Sequence, residues 1–217
     1  MTHSCTFGLL CLIMLTLGAC SQSLERSATT LGQPFQVLQW DTTSLDSQFL
    51  DVLQEGLLVK LGYWQDANGE NYFEVVREQR AEDLRIIARH YVKRPDGQLH
   101  MQQQFKDFVI DCGYDPILDY IPGSLTITDM DSNQVGEVVF LLQKGCISDV
   151  SPLQAQLYLI EGAQLFLIRG TTQIKLGSYV MPSRQEVDPS FEDLPIVLQT
   201  YARAQWDRFT DTTVYYW

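Results

Sequence analysis

Residues 57–78 read LLVKLGYWQDANGENYFEVVRE. Leu57 to Trp64 and Tyr72 to Glu78 are rich in branched and aromatic side chains, and Asp66-Ala67-Asn68-Gly69 between them is a turn-forming cluster. The stretch predicts a β-hairpin. The same pattern recurs down the chain. Leu84 to Lys93 and Gln98 to Val109 flank Pro95-Asp96-Gly97, whose proline and glycine supply turn geometry. Ser124 to Thr128 and Glu137 to Gln143 flank an Asp/Asn-rich loop, and Gln156 to Ile160 and Gln164 to Arg169 flank Glu161-Gly162-Ala163. Closely spaced strands joined by tight turns predict a mainly β fold, an antiparallel meander, with α+β as the second choice.

Two helices are expected beside the strands. Asp46 to Gln54 is a short candidate. Leu194 to Phe209 is the stronger one, because Leu194, Val197, Leu198, Tyr201, Ala202 and Phe209 recur at helical spacing and form a C-terminal amphipathic helix. Pro195 is expected in its first turn, and Arg203 and Arg208 suit the negative end of the helix dipole.

The chain has 217 residues and a formal net charge of −12, from 15 Lys+Arg against 27 Asp+Glu. Residues 1–19 contain none of those four types, so the charge belongs to the part that follows. Phosphate backbones are bound by clustered cations, and so nucleic acid is not an expected partner.

Phe7 to Leu17 is an apolar run of signal-peptide length, too short to span a bilayer as a helix. It leads into Leu17-Gly18-Ala19-Cys20, which resembles the lipobox of bacterial lipoproteins. That resemblance implies cleavage before Cys20 and attachment to a membrane through lipid, palmitate included, on the Cys20 thiol. Two or more acyl chains anchor stably where one does not. The layout expected is a signal peptide over 1–19, a lipidated cysteine and polar tether over 20–33, and a single globular domain over 34–217. A tether of this length reaches roughly 20 Å. Ser21 resembles the outer-membrane class, which places the domain in the periplasm if the cell is Gram-negative. The segment before the apolar run carries no Lys or Arg, only His3 and the terminal amine.

The sharpest local motif runs from Thr128 to Glu137, TDMDSNQVGE. Oxygen-bearing side chains at its alternating positions can converge on one hard cation. The motif resembles the Asp-x-Asp-x-Asp-Gly-x-x-Asp/Glu calcium loops of integrin-like repeats. The resemblance implies side-chain oxygens from Asp129, Asp131, Asn133 and Glu137, and a carbonyl from Val135. Gln134 stands where those loops have glycine. A hairpin turn held by Asx hydrogen bonds accounts for the same residues, and both readings stand.

Beyond Cys20, the exported part holds Cys112 and Cys146. In an oxidising envelope these suggest one disulfide, with two free thiols or a nucleophile as the alternatives. Such a bridge closes a loop of about 35 residues and contributes roughly 3–4 kcal/mol on the chain-entropy argument. His90 shares strand parity with Leu84, Ile86, Ala88 and Val92 and is expected to face a core, whereas His100 follows a turn and is expected to be exposed. Asp149 and Ser151 before Pro152 read as a capped turn.

Lys106 to Cys112, Thr126 to Val138, Gly145 to Pro152, Ile168-Arg169-Gly170 and Ala204-Gln205-Trp206 together resemble a family of secreted bacterial proteins. Some of its members carry a surface-polysaccharide label. The resemblance supports pairing Cys112 with Cys146 and implies no particular chemistry.

No zincin, nucleophile-elbow, phosphate-loop or dinucleotide fingerprint occurs. The sequence therefore favours a non-enzymatic envelope module that binds a protein partner or glycan. The alternatives are an envelope hydrolase acting on glycans through paired carboxylates, and a calcium-stabilised structural module. A deep pocket with two facing carboxylates would select the hydrolase.

Overall fold

The computed structural model describes residues 34–38, 56–81 and 83–211. Cys20, the tether, the expected helix Asp46 to Gln54 and the tail Val214 to Trp217 lie outside the described residues. The fold is mainly antiparallel β with one C-terminal helix, as the turn spacing predicts.

The first sheet is a plain meander of β1 (Gln36–Val37), β2 (Leu57–Asp66), β3 (Gly69–Arg80), β4 (Asp83–Lys93) and β5 (Leu99–Val109), each hydrogen-bonded to the next. Asp66 pairs with Gly69 at the first hairpin, and Gly69 has φ 121°, a conformation that glycine adopts without strain. The second sheet contains β6 (Asp115–Tyr120), β7 (Thr126–Thr128), β8 (Glu137–Ile147), β9 (Gln154–Glu161), β10 (Gln164–Thr171) and, after a small β11–β12 ribbon (Ile174–Leu176 and Tyr179–Met181), β13 (Arg184–Val187). Its order is β13-β10-β9-β8-β6, and β7 pairs the first part of β8.

Strand parity sorts the side chains into layers. Phe73, Val75, Ile86 and Ala88 of the first sheet meet Leu118, Val138, Phe140, Leu142, Tyr158 and Ile160 of the second. The alternate residues Val139, Leu141, Leu157, Leu159, Phe166 and Ile168 face the helix α1 (Ile196–Thr210), which covers them with Leu198, Ala202 and Trp206. β8 is thus buried on both faces over Glu137–Leu142 and carries a nearly continuous apolar run, as a central strand must.

The helix begins later than its periodicity suggests. Leu194 caps a 3₁₀ turn over Pro189–Asp193, and Pro195 is the residue before the helix rather than part of its first turn. Asp188 caps that turn by accepting from the Ser190 N–H at 3.1 Å. Leu194 still packs beneath the helix, so its apolar spacing reports the layer correctly and the boundary wrongly.

Cys112 and Cys146 form a disulfide with a Cα–Cα separation of 5.7 Å. It ties the connection between β5 and β6 to the last residues of β8 in the second sheet. Among the described residues no helix is long and apolar enough to cross a membrane.

Candidate functional site

The loop between β7 and β8 curls at one end of the sandwich. Glu137 opens β8 and is fully buried. One of its carboxylate oxygens accepts from Thr128 Oγ1 at 2.9 Å, and both lie 3.1 Å from the Met130 N–H. Burial pushes its carboxyl up to about 7, although these hydrogen bonds pull the other way; the Asp131 carboxylate adds to the rise. Asp129 accepts from the Gln134 N–H at 3.2 Å through one oxygen, while its buried Oδ1 has no partner among the described residues. One carboxylate oxygen each from Asp129, Asp131 and Glu137 lie within 4.8 Å of one another. This acidic triad can hold a metal ion.

Asn133, the remaining side chain expected among the ligands, is placed differently. Asn133 turns its amide nitrogen toward Asp131 at 3.0 Å and Glu161 at 2.6 Å, and its side-chain oxygen accepts from the Val135 N–H at 2.7 Å. Asp131 also accepts from the Asn133 N–H at 3.1 Å. These are the Asx contacts of an ordinary turn, and they coexist with the triad. Ser132 and Gln134 take φ 60° and 68°. Gln134 therefore adopts the left-handed conformation that glycine provides in the calcium loops it resembles.

Across Gly136 from Glu137 lies a second buried carboxylate. Asp66 is 2% exposed and accepts three hydrogen bonds: from Trp64 Nε1 at 2.9 Å, the Gly136 N–H at 3.0 Å and the Asn68 N–H at 2.8 Å. The Ala67 N–H donates to the Gln134 carbonyl at 2.8 Å, so the β2–β3 turn and the acidic loop are stitched together. Only glycine fits at position 136, because a Cβ there would run into the Trp64 indole.

Above Asp66 opens a cavity of about 310 Å³ between the ends of the two sheets. Asn71 and His90 form its buried wall, and Asn68, Arg94 and Gln102 line it too. The Asn71 amide donates to the Gly69 carbonyl at 2.9 Å, which turns its own oxygen toward His90 Nε2, 2.9 Å away. Because that oxygen can only accept, Nε2 carries the proton and Nδ1 presents a lone pair. Nδ1 has no partner among the described residues. Burial pushes the imidazole down to about 4, against a smaller upward pull from Asp66, so the ring is neutral at pH 7. Its flat face stacks on Trp64 with centroids 5.1 Å apart.

Strand parity places His90 on the core side, where it lies. His100, expected to be exposed, is half-buried and sits 3.9 Å from Asp96, because β5 folds back beside the turn that bears that carboxylate. Asp149 accepts from Ser151 Oγ at 2.7 Å, a side-chain pair at the bend over 148–150 where a side-chain-to-backbone cap is expected. The cavity itself is not legible in sequence, since its walls come from β2, β3, β4, β5 and four separate connections. The only local hint is the density of Asn and Asp around residues 66–71. Comparison of the chain with protein-family models, with curated proteins and with solved structures finds no match, so its function is read from the chemistry of this loop and this cavity.

Proposed function

We propose that the protein is a lipid-anchored binding module of the bacterial cell envelope, held through Cys20, whose acidic loop is ordered by calcium at Asp129, Asp131 and Glu137. The observation that carries the binding reading is the state of the polar groups in the cavity. Its lining carboxylate, Asp66, is saturated by three N–H donors, and its imidazole is neutral. Groups arranged in this way hold a ligand; a glycan hydrolase needs two carboxylates open to substrate, one to give a proton and one to attack or activate water.

Calcium fits the loop because all three converging groups are hard carboxylate oxygens. Asn133 would add its oxygen only after its side chain leaves Asp131, Glu161 and the Val135 N–H, and the Val135 carbonyl is the further oxygen that the motif offers. The envelope location rests on the apolar run that ends in Leu17-Gly18-Ala19-Cys20, and Ser21 favours the outer membrane of a Gram-negative cell.

Crosslinking in intact cells followed by purification is the test of the module. A reproducible envelope protein or glycan is the expected capture, and none above background would sink the reading. For calcium, the melting midpoint with excess ion should exceed that with chelator by the equivalent of about 2.7 kcal/mol at a hundredfold excess over Kd. An unchanged midpoint removes the ion. For the anchor, globomycin should leave a precursor of higher mass.

A further inference from the structure

We infer that the cavity at the seam of the two sheets is a binding site for a small neutral polyhydroxyl ligand, one hydroxyl of which donates to His90 Nδ1. The inference deepens the binding-module reading and rests on it.

The first ground is an unmet hydrogen bond in a rigid wall. His90 is 3% exposed, its Nδ1 is buried without a partner among the described residues, and Asn71 fixes the ring so that this atom can only accept. A buried acceptor left empty destabilises the fold, and such an exception calls for an occupant. The second ground is a distortion of the first sheet at the same place. His90 pairs with Gln103 while its neighbour Tyr91 pairs with Met101, so Gln102 is an extra residue in β5. A bulge of this kind re-aims a side chain, and Gln102 lines the cavity instead of joining the ladder.

The balance of groups selects the ligand. Asn68 and Gln102 each offer an amide donor and an amide acceptor, Arg94 offers donors, and His90 offers an acceptor. A hydroxyl both donates and accepts, so a ring of hydroxyls matches such a mixture. A cation would meet Arg94 and an Asp66 carboxylate already satisfied by three N–H groups. An anion would meet that carboxylate and the imidazole lone pair. The volume of about 310 Å³ is at the lower end of small-molecule sites, which suits one or two sugar rings.

The test uses the full protein in a detergent without a sugar headgroup, labelled with 15N at histidine, with His90 assigned by comparison with His100→Gln. The probes are glucose, galactose and N-acetylglucosamine against glucuronate and inorganic phosphate, each at about 10 mM to reveal millimolar affinities. At least one neutral sugar should move the His90 Nδ1 signal in the direction of an accepted hydrogen bond. Gln102→Ala, a change at a half-buried position that leaves the wall intact, should weaken that sugar about three- to tenfold. A response to glucuronate or phosphate alone would overturn the hydroxyl assignment and leave the binding module standing. Silence toward every probe, or a sugar response indifferent to Gln102→Ala, would overturn the site itself, and the crosslinking experiment then decides the module independently.

Discussion

Asp66 and Glu137 are both buried carboxylates, they sit on either side of Gly136, and the protein treats them in opposite ways. Asp66 collects three N–H donors that join the β2–β3 turn, the Trp64 indole and the acidic loop. Glu137 has a hydroxyl and one N–H, and it shares its surroundings with Asp129 and Asp131. A buried acid saturated by neutral donors is a piece of scaffold. A buried acid crowded by others is short of positive charge, which is what a cation would bring. The comparison separates the structural half of this end of the sandwich from the half that can respond to an ion.

The largest effect should come from the scaffold side. Asp66→Ala strands the Trp64 Nε1–H and the Gly136 N–H in the interior and loosens the turn through Asn68, so a loss of about 4 kcal/mol is expected in a urea melt. The loss should be the same with calcium and with chelator. A loss that calcium restores would place Asp66 in the ion site and dissolve the distinction.

The next effect tests whether the His90 imidazole beside Asp66 stays neutral. Unfolded, the His90 imidazole takes up a proton near 6.5; folded, it does so only near 4, chiefly because of burial. Between those values the unfolded chain binds more protons, so stability is full above pH 6.5 and falls as the pH drops toward 4. The full difference amounts to about 3 kcal/mol. His90→Phe keeps a flat ring against Trp64 and should remove this part of the acid sensitivity. Melts at pH 6.5 and 4.5 that fall equally in both proteins would show that the imidazole is already charged.

Glu137→Gln should act in the reverse sense to Asp66→Ala. The amide keeps an acceptor for the Met130 N–H and removes a charge that burial disfavours. In chelator at pH 8 the variant should gain about 1 kcal/mol over the native chain. In calcium it should gain nothing further. A variant that is destabilised in chelator would mean that the charge of Glu137 is itself part of the scaffold.

The hairpins on which this comparison rests are legible in sequence because a tight turn is a local event. Asp66-Ala67-Asn68-Gly69 and Glu161-Gly162-Ala163 each mark where a strand reverses, and the ladders follow. β6 is hidden by Pro116, and β11, β12 and β13 are short and largely exposed, so no alternation announces them. The division into two sheets is a non-local choice that turn residues do not encode. At the site, the convergence of Asp129, Asp131 and Glu137 follows from alternating positions in one loop. The cavity depends on His90, Asn71 and Gln102 meeting across three strands, and Gln102 reaches it only through a bulge that its sequence, Met101-Gln102-Gln103-Gln104, does not mark.

Gln134 is where the two halves touch most closely, and it carries the smallest effect. Its carbonyl accepts from the Ala67 N–H on the Asp66 side, and its N–H donates to Asp129 on the ion side. Both bonds require φ near the observed 68°, where a side chain is strained by about 1 kcal/mol and glycine is not. Gln134→Gly keeps both backbone bonds and loses only the weak 3.3 Å contact from the Phe35 N–H to its side chain. Glycine's greater freedom in the unfolded chain offsets part of the relief, which leaves a gain of about 0.5 kcal/mol. Gln134→Val, β-branched and ill-suited to positive φ, should instead lose more than that. If the ion needs this curl, the glycine variant should also bind calcium more tightly and the valine variant less, as read by titration calorimetry. Equal affinities in the two variants would detach the curl from the ion and leave it a device for joining the turn to the loop.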